Sequence, residues 1–509
     1  MNGRAMSSYG QHMKTFLCSY PFFVVTFLLL NSIILLTYYQ SSISDEENLT
    51  NFNDSPIKLE NKKPTAVIYA HPTYHDEIAS VSACLLHELG YPVVAYVGNG
   101  VHIGGFKLPF SDRRIISSKS LYGPCVDKWI SIHPMVEFVK PDVLLFATYP
   151  MTVNGGGRDI IAYKYLKFLQ QYNLSCKVLF ITHKSEDFWQ SSPLVEKYIP
   201  RERTKYIFLG EHTLNTAKKL LTDHFKGDIA TINSFSLSHI IPTMPLRYIV
   251  GEKEAGLLSS TPPEQSTFFA IQGNFGGRHS HRKDPKRAVS CVRDIESSFE
   301  QQILAIAAQS SSRAPARSGS NLRSTDKPQS LLSSKSDNNS NINIAMKDGE
   351  NHEYSGYSRR VPKLFPHMNM DMIGSLHSAV NVGELHHAKV RFLSDLNARD
   401  YYTSIAKSKF LITALNDKEY FTTKATSSVP AALIGEVPLV SNRQLLNLYP
   451  CLRDMPTIQR LSQVDECDSI YEASQLDTSE YSAARKEMAD CNRQLWKDAK
   501  ETISKLSQK

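Results

Sequence analysis

The sequence lacks the motifs of several common protein classes. Its eight cysteines include no Cys-x-x-Cys pair, which excludes a zinc ribbon or a thioredoxin-type redox site. There is no zinc-finger spacing, RNP-type motif or dense basic run, and the net charge of +7 is small for 509 residues. We therefore expect no nucleic-acid partner. With 41% apolar and 21% charged residues, the composition is that of a folded globular protein, and the length predicts two or three domains.

Charged residues are also absent from residues 15–39, which read TFLCSYPFFVVTFLLLNSIILLTYY. A helix needs about 20 apolar residues to cross the hydrocarbon core of a bilayer, and this run is long enough. Arg4 and Lys14 precede it and three acidic residues follow it, so the positive-inside rule predicts a type II signal anchor. We therefore expect a cytosolic tail at residues 1–14, membrane association through residues 15–39, and a stem at residues 40–64.

The alternative to an anchor is a cleaved signal peptide. Its apolar core would be only about 7–15 residues long, with small residues at the cleavage site. The 15–39 run is longer, and TYYQSS is a poor cleavage site. An anchor places the rest of the chain in the lumen of the ER or Golgi. Four N-x-S/T triplets agree with lumenal exposure and are candidate glycosylation sites. They begin at Asn48, Asn53, Asn173 and Asn338.

Disulfides are permitted in an oxidising lumen. Seven of the eight cysteines lie outside the apolar run. Cys451, Cys467 and Cys491 cluster near the C-terminus and are candidates for one disulfide, but the pairing is left open by the sequence.

Short apolar strands alternate with amphipathic helices from residue 65 onward. The strands are continuous apolar runs, which is typical of a parallel sheet covered by helices on both faces. Residues 65–245 are therefore predicted to form an N-terminal doubly wound, Rossmann-like domain, with one helix at Asp127–Val139. The predicted strands lie at residues 66–70, 91–97, 142–148, 178–182, 206–209 and 229–232.

The same alternation restarts after a proline-containing linker at residues 246–265. Residues 266–478 are predicted to form a second Rossmann-like domain, and residues 479–509 a charged C-terminal helix. In the second domain, a glycine-rich basic loop follows the first strand, and Asp284 should cap the next helix. Residues 309–362 are rich in Ser, Asn and charge, which predicts a disordered insertion.

Residues 417–440 read as a loop, a short helix and a strand. The helix body is apolar, Gly435 ends it, and Ser427 or Ser428 can cap its start. A helix N-terminus offers unpaired N–H groups, so this end is a candidate cradle for phosphate. Hydroxyl groups and a lysine crowd it. The alternative is an ordinary strand–helix–strand turn. The candidate anion ligands are Lys424, Thr426, Ser427 and Ser428.

Three segments resemble parts of GT-B-type glycosyltransferases. KATSSVPAALIGEVPLVSNRQLLNLYP is similar to the donor-side helix and strand of that class, and IQGNFGGRHSHRKD to its glycine-rich loop. SDLNARDYYTSIAKSKFLITA resembles the segment that leads to the donor site. The chain is particularly similar to fungal-type type II membrane glycosyltransferases of undefined substrate. The resemblance implies two Rossmann-like domains facing a cleft, with the acceptor bound by the N-terminal domain and the donor by the C-terminal one.

The resemblance also implies a chemistry. The donor is a nucleotide-sugar acting as co-substrate, with no other cofactor, and the acceptor is a glycan, glycoprotein or glycolipid. The loop AHPTYHDE offers His75 as general base, with His71 and Asp76 as further catalytic candidates. Asp417, Glu419 and Tyr420 would lie near the donor sugar or nucleotide. Besides the anion ligands named above, the donor diphosphate would contact Gly273, Asn274, Gly276, Gly277, Arg278, Arg282 and Lys283.

Two departures from family patterns bear on mechanism. Many retaining GT-B enzymes carry two glutamates spaced around the donor helix, but Thr422 and Pro430 stand there, with Glu419 and Glu436 out of register. Inverting and retaining chemistry are both left open. The other common transferase fold, GT-A, uses an Asp-x-Asp metal site, and the chain has none. A metal-independent reaction is therefore expected.

Two other functions stay open. AHP…DE resembles the metal-binding motif of zinc-dependent sugar N-deacetylases, but extra residues separate His71 and Pro72 from Asp76 and Glu77. That fold would also leave the second half of the chain without a role. The other alternative is a non-catalytic sugar-nucleotide-binding protein on the same fold.

Overall fold

The computed structural model describes most of the chain beyond residue 63. Residues 63–509 form one compact unit. The predicted anchor, the stem, the four N-x-S/T asparagines, His71, His75 and the loop 276–282 lie outside the described residues. Within the described part, no helix combines the length and hydrophobicity that a bilayer span requires. The described residues are 64–70, 76–98, 125–132, 138–147, 160–172, 175–186, 188, 195–260, 267–275, 283–312, 368–376, 390–393 and 396–508.

The first half of the unit is built on a seven-stranded sheet in which every pairing is parallel. Its strands are β1 (Ala66–Ala70), β2 (Val93–Gly98), β3 (Lys128–Ile132), β4 (Val143–Phe146), β5 (Lys177–Thr182), β6 (Thr204–Phe208) and β7 (Ser236–His239). The strand order is β3-β2-β1-β4-β5-β6-β7. The accompanying helices are α1 (Asp76–Glu88), α2 (Ile160–Gln171), α3 (Glu211–His224) and α4 (Ile229–Asn233).

Two predictions for this half are wrong. Residues 229–232 belong to helix α4, and the helix predicted at Asp127–Val139 contains strand β3. Asp127 is held against β2, since its amide donates to Val93 O at 2.9 Å and its carboxylate accepts from Val93 N at 2.7 Å. A disulfide between Cys84 and Cys125 fixes the chain just before it. Trp129, Ile130 and Ile132 favour extended backbone, which β2 then pairs.

The second half carries a six-stranded parallel sheet with the order β10-β9-β8-β11-β12-β13. These strands are β8 (Thr267–Phe275), β9 (Met370–Leu376), β10 (Val390–Leu393), β11 (Ser408–Ile412), β12 (Leu439–Asn442) and β13 (Ser462–Gln463). Two parallel sheets in an α/β fold are thus confirmed. Residues 246–265, predicted as a linker, include α5 (Arg247–Val250) and α6 (Glu252–Ser259).

The helices of the second half begin with α7 (Pro285–Ser312), and Asp284 caps it as predicted, with Arg287 N donating to its carboxylate at 3.1 Å. The helix runs to Ser312, so residues 309–312, predicted to be disordered, are helical; the rest of that insertion lies outside the described residues. The remaining helices are α8 (Ala398–Ala406), α9 (Ser428–Ile434), α10 (Arg443–Leu446), α11 (Pro450–Arg453), α12 (Pro456–Arg460), α13 (Glu466–Gln475) and α14 (Thr478–Ser507).

Disulfides tie helices to their neighbours in the described part of the chain. Cys291–Cys467 joins α7 to α13, and Cys451–Cys491 joins α11 to α14, with Cα–Cα distances of 5.3 and 5.8 Å. Two of the three clustered C-terminal cysteines therefore pair with each other, and the third pairs with a distant partner. Cys176 is buried and reduced.

Candidate functional site

In each sheet the strand order reverses at one point, between two neighbouring strands. Ligands of open parallel sheets bind at such a switch point, beyond the carboxyl ends of the strands. In the second sheet this point lies between β8 and β11. The pairing of β8 with β11 ends at Ile271, so Gln272 and Gly273 lie just beyond it, and Ala414 lies two residues beyond the end of β11. The residues around these three positions therefore form the candidate site.

Lys283 occupies this switch point. Its ammonium group donates to Ser428 Oγ at 2.7 Å and to the carbonyl oxygen of Gln272, with Gln272 Oε1 at 3.4 Å. The side chain is buried, and this desolvation lowers its pKa to about 7, although the carboxylate of Glu466 acts in the opposite direction. Its hydrogen-bond partners in the described part of the chain, Gln272 and Ser428, are neutral, so a protonated Lys283 is a buried cation beside the carboxyl ends of β8 and β11.

Gly273 makes room for that lysine. A Cβ placed on it would lie 2.7 Å from Lys283 Cδ and 3.0 Å from Nζ. Any side chain there would push the ammonium away from Ser428. Gly273, which is predicted to contact the diphosphate, therefore leaves the space that the lysine side chain occupies. Asn274 follows it in β8, and the next four predicted ligands, Gly276 to Arg282, lie outside the described residues.

Neutral polar groups surround the ammonium. Gln272 Nε2 donates to Ser427 Oγ at 3.2 Å, and Ser428 Oγ donates to Gln272 Oε1 at 3.1 Å. The side chain of Gln272 also hydrogen-bonds Tyr401, a half-buried residue of α8. Hydroxyl and amide groups of this kind can rotate to accept or donate, so they can serve a phosphate as well as they serve one another.

The start of α9 differs from the expectation of a capped, anion-binding helix end. Ser427 is the N-cap residue but makes no side-chain capping bond, and Ser428 is already helical. The amide of Ser428 is used by Thr426 Oγ1 at 3.2 Å. The helix has seven residues, all of them buried. The ammonium of Lys283 and the two serine hydroxyls, rather than the helix dipole, thus carry the electrostatics of this edge.

Glu466, which sequence reasoning missed, lies on the other side of the switch point. Its Oε1 accepts from Ala414 N at 2.8 Å. Ala414 in turn accepts from Asp284 N at 2.9 Å, and Lys283 forms a bridge with Leu415. Burial raises the pKa of Glu466 to about 7, against the effects of the Ala414 amide, Arg287 and Lys283. The segment that carries Lys283 is therefore tied to Glu466 through the backbone of Ala414.

Replacing Ala414 by glycine should leave the free energy of unfolding unchanged or raise it by up to about 1.6 kcal/mol. Ala414 has φ +47°, and a left-handed conformation costs an alanine about 1–2 kcal/mol, while the extra freedom of an unfolded glycine costs about 0.4–1 kcal/mol. Urea unfolding checks this, with Ala473→Gly inside α13 as the control, which should lose at least about 1 kcal/mol. Equal losses in both variants would contradict the proposed strain.

The loop from Asp417 to Lys424 lies against the first half of the protein. Lys184 pairs with Glu419 at 2.9 Å, and Ser185 N donates to Thr423 O at 3.3 Å. His212 Nε2 lies 3.3 Å from Lys424 O. Asp417 caps the 3-10 turn Lys418–Phe421, and Lys424 Nζ is 4.7 Å from the ring centroid of Tyr420. Of the four predicted donor-site residues in this loop, Glu419 and Lys424 therefore contact the first half, and Asp417 and Tyr420 lie beside them. Lys283, Ser427 and Ser428 form a separate group at the switch point.

The first half contributes the start of α1. Asp76 begins this helix, as its position after β1 predicts, and His71 and His75 lie outside the described residues. Glu77, in the same first turn, interacts electrostatically with Tyr401 and, after burial, is the next cause that raises the pKa of that tyrosine. An acidic group of the first half thus lies near Tyr401, which contacts Gln272 beside Lys283.

The sequence did not predict Gln272, Tyr401 or Glu466 as residues of the site. It also did not predict that Glu77 lies near Tyr401. Gln272 and Tyr401 lie in two of the segments that resemble GT-B enzymes, but no motif distinguishes either of them from its neighbours. A cavity of about 310 Å³ lies elsewhere, lined by Leu169, Tyr198 and Arg203. It sits near the amino end of β6, the edge that open parallel sheets do not use for ligands. We therefore place the candidate site at the switch point. Among the described residues, no cluster of His, Cys, Asp and Glu is suited to a metal ion.

Comparisons with known proteins give distant likenesses. No protein-family model and no curated protein matches the chain. Solved structures that align with 87% of it include the glycotransferase of kitacinnamycin (11% identity, TM-score 0.36, 100% of that chain) and a glycosyltransferase from Rickettsia africae ESF-5 (11%, 0.39, 99%). A UDP-N-acetylglucosamine 2-epimerase from Rickettsia bellii aligns at 13% identity and a TM-score of 0.34, over 97% of its length. With TM-scores below 0.5, these likenesses carry no argument about activity.

Proposed function

We propose that this protein is a metal-independent glycosyltransferase of the GT-B type, which moves a sugar from a nucleotide-sugar donor to a glycan, glycoprotein or glycolipid. The observation that carries the proposal is the buried ammonium of Lys283 at the switch point of the second sheet. A buried cation among neutral acceptors suits a ligand that brings its own negative charge, as a nucleotide diphosphate does.

The reaction requires two things of the protein. The leaving diphosphate gains charge as the bond from the sugar carbon to its phosphate oxygen breaks, and Lys283, Ser427 and Ser428 would stabilise that charge. Arg278 and Arg282 in the glycine-rich loop are the further candidates for this role. The acceptor hydroxyl must lose a proton as its oxygen attacks the same sugar carbon, and the β1–α1 loop supplies the base. We assign that role to His75, with His71 and Asp76 as alternatives.

The cellular setting is part of the same proposal. The uncharged run at residues 15–39 would anchor the protein as a type II membrane protein of the ER or Golgi, with residues 63–509 in the lumen. The similarity to fungal-type membrane transferases and the N-x-S/T triplets support this setting. The three disulfides of the described part agree with an oxidising compartment, where such bonds persist.

A nucleotide screen tests the proposal. Residues 63–509 form one compact unit, so this part can be screened for thermal shift against UDP, GDP, CDP and CMP, with and without EDTA. A ligand at about 100 times its dissociation constant adds about 2.7 kcal/mol of stability. We expect one nucleotide to raise the melting temperature, equally with EDTA present. Hydrolysis or transfer from the matching nucleotide-sugar then separates an enzyme from a non-catalytic binding protein.

The opposite result has a clear meaning. If no nucleotide shifts the melting temperature and EDTA alone lowers it, the transferase proposal is wrong and a zinc-dependent deacetylase becomes the better candidate.

A further inference from the structure

Two helices meet beside Lys283 through a series of matched contacts. Arg287 and Cys291 lie four residues apart on one face of α7, and Lys283 lies two residues before the start of this helix. Their partners are three consecutive residues at the start of α13, Asp465, Glu466 and Cys467. Arg287 pairs with Asp465, Cys291 forms a disulfide with Cys467, and Lys283 interacts electrostatically with Glu466.

The third interaction differs from the other two because Lys283 is buried and the carboxylate of the half-buried Glu466 is largely shielded from water. The Arg287–Asp465 pair is about half exposed, so it contributes little to stability. Glu466 Oε1 accepts a hydrogen bond from the Ala414 amide, and Thr413 Oγ1 lies 3.5 Å from the same oxygen. A buried carboxylate that serves only to accept one backbone bond would be an expensive choice, since a neutral side chain could do the same.

We propose that Glu466 is a positioning residue of the anion site: it holds the Ala414 backbone that carries Lys283 and supplies the counter-charge that keeps the Lys283 ammonium ready for a diphosphate. This inference rests on the proposed function, because it concerns the same donor site. Glu466 does not touch the ligand. It acts through Lys283, whose ammonium donates to Ser428 Oγ.

The charged groups around Glu466 and Lys283 determine how Glu466 should change the protonation of Lys283. Glu466 faces Lys283, Arg287 of α7, its own neighbour Asp465, and the dipoles at the end of β11. Lys283 faces Glu466 and the neutral groups of Gln272 and Ser428. Burial lowers the pKa of Lys283, and Glu466 raises it. Above about pH 7 an ionised Glu466 therefore favours the charged lysine, whereas below that pH Glu466 is itself protonated and exerts no charge.

The test uses inorganic pyrophosphate as probe and isothermal titration calorimetry at pH 6 and pH 8. Glu466→Gln keeps an oxygen for the Ala414 amide but never carries charge. At pH 6 it should bind pyrophosphate within about twofold of the wild type. At pH 8 its dissociation constant should be about 3- to 10-fold higher than that of the wild type, which corresponds to about half to one unit in the pKa of Lys283. Changes in the ionisation of pyrophosphate cancel in each ratio.

Two more variants separate position from charge. Glu466→Ala removes the acceptor of the Ala414 amide and should weaken binding at both pH values. Asp468→Asn removes one carboxylate from the same helix. Its dissociation constant for pyrophosphate should stay close to that of the wild type at both pH values. A Glu466→Gln ratio that is the same at pH 6 and pH 8, or tighter binding at pH 8, overturns the inference but leaves the transferase proposal standing. Absence of pyrophosphate binding by the wild type at both pH values overturns the anion site, and both proposals with it.

Discussion

Lys283→Met should weaken nucleotide binding and transfer by at least about 100-fold. Removal of one charge-stabilising contact in an active site costs about 2.7–4 kcal/mol of transition-state stabilisation, or a factor of about 100–1,000. Methionine fills nearly the same volume but offers no ammonium to Ser428 or to a phosphate. Because a buried charge is costly, the free energy of unfolding should change far less than the affinity. The measurement is the dissociation constant of the nucleotide found in the screen, followed by kcat/KM with its sugar conjugate.

The matched control for this variant is Lys286→Met. Lys286 is an exposed lysine in the first turn of α7, so its loss removes the same charge without touching the switch point. Its affinity should remain within about twofold of the wild type, because an exposed charge acts through high dielectric and salt. Normal nucleotide binding by Lys283→Met would show that this lysine only fills the space beside Gly273, and the proposed site would be wrong.

The two sheets follow from features that act over short stretches of the chain. Runs such as Val143–Phe146 are apolar at every position and buried at every position, which only a sheet covered on both faces explains. β3 was missed because DKWISIHPMVEFV also has a helix-like pattern, and what decides its structure is pairing with β2, a partner more than 30 residues earlier. Local pattern cannot weigh such a partner.

Prediction of the site residues from local sequence is limited in the same way, and more strongly. Lys283 could be predicted because it belongs to a basic loop after a strand. Glu466 could not, because it is a single acid without a motif, and only the order of the strands brings it to Lys283. The N-cap at Ser427 was predicted from residue type, yet its hydroxyl contacts Gln272 instead. Tertiary contacts thus reassign polar groups that local rules would use for capping.

Glu88→Ala should lower the free energy of unfolding by about 2–4 kcal/mol at pH 7. Glu88 ends α1 in the first half, and its carboxylate accepts from Trp496 Nε1 at 3.3 Å and from Lys500 Nζ at 2.9 Å, both on α14. The hydroxyl of Tyr248 donates to it as well. Alanine would leave these donors half-buried without their acceptor. Urea unfolding measures the loss, and Glu501→Ala is the control, because that exposed i,i+4 pair with Lys505 should cost under about 0.5 kcal/mol.

The pH dependence of this loss tests its cause. Burial raises the pKa of Glu88, but the Tyr248 and Lys500 contacts outweigh it, so the folded-state pKa lies below the unfolded value. A depressed carboxyl pKa stabilises the fold above the unfolded pKa, about 4.3, and that contribution disappears as pH falls through the folded value. The difference between wild type and Glu88→Ala should therefore shrink when unfolding is measured at pH 3.5 instead of pH 7. A difference that is constant with pH would mean that Glu88 acts through packing alone. A charge-dependent result would show that the ionised carboxylate of Glu88 holds α14, which also packs on α9, to the first half.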